Sequence, residues 1–66
     1  MDIGCTVRFK ALSLLAISLK REGQTGTVTA VHNYPGQGSR MVDIAFGNDI
    51  ERGIRVHELD LVASSL

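Results

Sequence analysis

Gly23-Gln24-Thr25-Gly26-Thr27-Val28-Thr29-Ala30-Val31 is the stretch whose reading decides the fold. Gly23 and Gly26 read as a turn, because glycine takes positive φ without a Cβ clash. The residues that follow are rich in β-branched side chains, which suit a pleated, half-buried surface. A strand is therefore expected over 27–32, with Val28 and Ala30 inward and Thr27, Thr29 and Val31 on the other side. The stretch carries no catalytic group. It is no phosphate loop either: the Gly-Lys-Ser/Thr ending is missing, and a strand rather than a helix N-terminus follows.

Upstream, Cys5, Val7 and Phe9 alternate with Thr6, Arg8 and Lys10, the period of a strand with one buried face. Residues 11–22 admit two readings. Leu12, Leu15, Ala16 and Leu19 share a helical face, but Leu14 and Ile17 fall off it and Ser13 and Ser18 interrupt it. Helix propensity favours a helix. The short-strand context favours a long folded-over loop, which is the expectation adopted.

Downstream, Asn33-Tyr34-Pro35-Gly36-Gln37-Gly38-Ser39 is a loop by composition. Residues 41–46 form the clearest strand, with Val42, Ile44 and Phe46 alternating with Met41, Asp43 and Ala45. Gly47-Asn48-Asp49 is a turn. Residues 50–56 form the next strand, with Ile54 and Val56 inward, Arg55 outward and Gly53 marking a bulge or bend. His57-Glu58-Leu59 reads as one helical turn, with Leu59 closing one end of the core. Residues 60–63 make a short closing strand, and Ser64-Ser65-Leu66 is expected to fray. The whole is a single all-β domain over 1–66: five short strands in a small, partly open barrel. A long loop follows the first strand, and a helical turn precedes the last.

Bulk composition narrows the function. A chain of 66 residues buries only about 60% of its unfolded surface, so its core must be efficient or shared with a second copy. One cysteine allows no internal disulfide and no thiolate zinc site. Seven basic and seven acidic residues leave no positive excess of the kind that phosphate contacts favour. No apolar run is long enough to span a membrane, and the flanks of 11–19 do not fit a signal peptide. A cytoplasmic location is expected.

The order Gly4-x-x-Val7-x-Phe9, long loop, Gly23 to Val31, Val42-Asp43-Ile44-x-Phe46, then Ile54-Arg55-Val56-x-Glu58-Leu59 resembles bacterial SH3-like barrels. The Gly23-x-x-Gly26-x-Val28 segment is similar to the KOW-type signature of ribosomal and transcription proteins. The resemblance spans about 3–63 and implies an architecture shared by nucleic-acid modules, accessory subunits of electron-transfer complexes and small antirepressors. The chain departs from both best-known uses. With no Trp and one Tyr it lacks the aromatic floor that holds a polyproline helix, and it is neutral where KOW modules are basic.

No catalytic residue, metal site or cofactor is expected. His32 and His57 read as ordinary solvated histidines at strand ends, and Cys5 as a small buried hydrophobe. Arg8, Lys10, Arg40, Arg52 and Arg55 can share a face if the strands carrying them are neighbours. Leu12, Leu14, Leu15, Ile17 and Leu19 exceed what a solvated loop should expose. The function expected is a non-catalytic protein-interaction or regulatory module, with homodimerisation open. Its contact residues are Tyr34, Arg40, Arg52 and Arg55, with Leu14 and Ile17 as apolar anchors. The alternatives are a KOW-type module for RNA or single-stranded DNA, and an accessory subunit of a larger enzyme or electron-transfer complex.

Overall fold

The computed structural model describes residues 1–33 and 40–64. In chain order they form β1 (Thr6–Phe9), α1 (Leu14–Leu19), β2 (Thr25–Asn33), β3 (Arg40–Phe46), β4 (Asp49–Arg55), a 3₁₀ turn (Val56–Glu58) and β5 (Leu59–Ala63). The strands build one antiparallel sheet in the order β4-β3-β2-β1-β5, the all-β arrangement expected and one compatible with a small barrel. The loop over 34–39 and the last residues, 65–66, lie outside the described residues.

The period-two readings of β1 and β3 hold. Cys5, Val7 and Phe9 are buried, as are Val42, Ile44 and Phe46, and Val28, Ile54 and Leu59 complete the same core. Val7, Val28, Val42 and Ile44 are the largest fully buried side chains, each worth about 1.5–3 kcal/mol of burial. The rings of Phe9 and Phe46 stack at 6.1 Å between centroids, joining β1 to β3 across the core.

The period fails in β2, for a local reason. Val28 pairs with Ile44 but Ala30 pairs with Asp43, so β2 carries one extra residue at Thr29. That bulge shifts the strand's phase. Val31, not Ala30, packs against the core, while Ala30 lies opposite Asp43 on the outer face. A matching irregularity occurs in β4, where Val42 pairs with Ile54 but Ile44 with Glu51. Gly53 sits in this second bulge at φ +69°, where a side chain would be strained. Both bulges face Asp43, and together they bend the sheet there.

Gly23 and Gly26 act differently from one another. Gly23 takes φ +74° in a turn closed by Gln24 N–H donating to Arg21 O at 3.1 Å. Gly26 already belongs to β2, and close approach is what demands a glycine there. A Cβ at this position would meet Ile44 Cγ2 at 2.5 Å and the Ala45 carbonyl oxygen at 2.8 Å.

The excursion over 11–22 is not wholly a loop. Its middle is the six-residue helix α1. Ser13 caps its start by accepting from Ala16 N–H at 3.2 Å, and Lys20 ends it in the left-handed conformation. The short-strand context, which points to a loop, is overridden locally. The two caps and the docking of Ala16, which is buried, make a short helix sufficient.

Candidate functional site

Two surfaces carry side chains that the core does not absorb. The first is the excursion, held to the sheet by polar clamps at both ends. At its start, Ser13 Oγ donates to Glu58 Oε2 at 2.8 Å and Lys10 N–H donates to Glu58 O at 2.8 Å, fixing the helix cap to the 3₁₀ turn. At its end, Arg21 Nη2 lies 3.2 Å from Asp49 Oδ2 and 3.4 Å from Glu51 Oε1, and its guanidinium sits 4.9 Å from the centroid of Phe46. Arg21 thus ties the excursion to the β3–β4 hairpin and shields one side of the core. Sequence reading missed it, because nothing local marks an arginine that bonds to a distant strand.

Between the clamps the excursion presents apolar groups to solvent. Leu12 is 92% exposed, Leu14 81% and Ile17 50%. Leu14 and Ile17 lie three residues apart on one face of α1, opposite the buried Ala16. Leu12 also takes φ +65°, a conformation that costs a non-glycine residue about 1–2 kcal/mol. Next to it is an open hollow of about 430 Å³, lined by Phe9 and Ala16 below and by Arg8, Lys10, Glu22 and Asp60 at its rim.

The second surface is the outer face of β2, β3 and β4 around Asp43. This carboxylate is buried. Oδ1 accepts from Gly53 N–H at 3.0 Å, Oδ2 lies 3.1 Å from His32 Nε2, and the backbone oxygen accepts from Thr29 Oγ1 at 3.3 Å. One residue therefore fastens both bulges. The Gly53 hydrogen bond, then that of His32, hold the Asp43 carboxyl below its ordinary pKa, with the charges of His32 and Arg52 helping. His32, Asp43, Arg52 and Gly53 line a shallow hollow of about 290 Å³. His32 is thus not simply solvated. His57 is exposed, 3.6 Å from Glu58. Among the described residues no three histidine, cysteine or carboxylate side chains come together as a metal site.

The sequence-selected residues divide between these places. Leu14 and Ile17 share the α1 face, and Arg52 lines the Asp43 hollow. Arg55 pairs with Met41 on the outer face, whereas the pleat puts Arg40, paired with Asn33, on the other. Tyr34 lies outside the described residues. The cations do not form one stripe: β1 pairs with β2 and β5, so Arg8 and Lys10 are separated from β3 and β4. No family model matches the chain, and neither a curated protein nor a solved structure matches it. Among the described residues no helix is long and apolar enough to cross a membrane.

Proposed function

We propose that the chain is a non-catalytic protein-interaction module on an SH3-like barrel, docking through the apolar face of its excursion. The observation that carries this reading is the exposure of Leu12, Leu14 and Ile17 on a segment clamped at both ends. Solvent-facing leucines add nothing to the core, and a strained backbone at Leu12 works against the fold. An apolar group held rigidly in water costs little further entropy when a partner covers it. The test is binding of the partner captured from the native host, measured with purified wild type and with Leu14→Asp/Ile17→Asp. The reading expects a loss of at least about tenfold with an unchanged circular dichroism spectrum. Equal binding by both proteins removes it.

A KOW-type nucleic-acid module is the competing reading, favoured by the exposure of Arg40, Arg52 and Arg55. It expects RNA or single-stranded DNA to bind with affinity that falls steeply as salt rises. Gel-shift titrations at low salt separate the two readings.

A further inference from the structure

We infer that the partner docking on the excursion is a protein whose apolar groove is rimmed by carboxylates, and that Lys10 and Lys20 read that rim. The inference rests on the docking reading above and names the chemistry of its partner. The chain's two lysines are Lys10 and Lys20, one on each side of the exposed leucines. Both are exposed. All seven carboxylates of the chain fall outside residues 10–21. A chain with no net charge thus places an acid-free, lysine-flanked segment around its most exposed apolar side chains.

Neither lysine makes an ion pair among the described residues. The pairs that do form belong to Arg21, His32 and His57. The cation nearest α1 in sequence after Lys20, Arg21, is consumed by Asp49 and Glu51. Lys10 and Lys20 are therefore left to steer an incoming surface of opposite sign. Leu14 and Ile17, at i and i+3 on a helix capped at both ends, supply the spacing that an apolar groove accepts.

Three other occupants fit less well. An anionic bilayer would also attract lysines, but Glu22 and Asp60 rim the hollow beside Leu12 and would be pressed against the same lipid phosphates. A protein groove can place its charges one by one. A second copy offers Glu22 and Asp60, but its Arg8 and Lys10 rim the same hollow and would be pressed against Lys10 and Lys20. A nucleic acid has no apolar groove for Leu14 and Ile17.

Zero-length carbodiimide coupling tests the inference on the full chain in native-host extract, because it joins an amine to a carboxylate only where the two touch. The chain offers two lysines, so a product joined through one of them is assigned by peptide mapping and told apart from one joined through the chain's own carboxylates. The expected result is Lys10 or Lys20 joined to Asp or Glu of one captured protein. Binding of that protein should fall about tenfold in Lys10→Glu/Lys20→Glu near 50 mM salt, with a smaller fall at high salt. Equal binding by this charge-reversed variant overturns the inference while leaving the docking reading in place. Equal binding by Leu14→Asp/Ile17→Asp overturns the docking reading itself. Coupling to a second copy of the chain, co-sedimentation with phosphatidylglycerol vesicles in place of a protein, or no coupled product each overturns the carboxylate-rimmed groove.

Discussion

The excursion and the Asp43 corner of the sheet invert the usual rule in opposite directions. At the corner a carboxylate is buried and every one of its oxygens has a partner. On the excursion leucines are exposed, held in place by polar groups around them. The polar side chains of this chain do structural work in both places. Asp43 shapes the sheet, and Ser13, Arg21 and Glu58 fix the excursion. Leu12, Leu14 and Ile17 are among the apolar groups that the core leaves exposed, and Leu12 and Leu14 are the most exposed of them.

That contrast breaks if substitutions in the sheet prove mild or those on the excursion prove severe. The largest effect is expected at Gly26→Val, where the added carbons run into Ile44 and the Ala45 backbone. Backbone cannot yield as a side-chain tip does, so a loss of about 3 kcal/mol or more is expected by urea denaturation. Asp43→Ala comes next, because it leaves the Gly53 N–H without its acceptor and removes the partner of His32, while the bond from Thr29 to the Asp43 backbone oxygen stays. A loss of about 2–3 kcal/mol is expected.

The Asp43 corner also has a pH signature. Its carboxyl has a lowered pKa in the folded state, so its contribution is fully present above the ordinary value of about 3.9. The contribution is lost as pH falls below that value and through the folded one. Asp43→Asn should flatten this part of the acid limb of the stability curve. An unaltered limb would show that the two bulges do not depend on the charge.

Effects on the excursion should be smaller. Ser13→Ala removes both the helix cap and the bond to Glu58, and about 1 kcal/mol should be lost in denaturant titrations. Smallest are the solvent-facing positions. Leu12→Gly relieves the positive φ but loosens the unfolded chain, so its melting temperature should stay the same or rise slightly. Marked destabilisation there would mean that Leu12 packs against something in the fold.

The same contrast separates what could be read from sequence from what could not. Alternation over Cys5, Val7 and Phe9, and over Val42, Ile44 and Phe46, needs only neighbouring residues, and it placed the core correctly. Ala30 and Val31 were exchanged because the bulge at Thr29 is defined by pairing with β3, which composition cannot reveal. Gly53 hinted at the other bulge. The residue that holds both, Asp43, looked like any outward carboxylate until three strands were brought together. Leu14 and Ile17 stood out because they broke a helical stripe, a pattern internal to one segment. Arg21 did not, because its partners lie far along the chain on β4.

The pairing of β1 with β5 has a consequence during synthesis. Thr6 sits beside Ala63, so the first strand waits until residues 59–63 are made before its second neighbour exists. β5 also supplies Leu59, which covers Phe9. A nascent chain still holding residues 59–63 in the ribosomal exit tunnel has β1 paired on one side only and an open hydrophobic end. The sheet therefore gains this strand late, and a chain cut short before Leu59 leaves the β1 edge without its second neighbour.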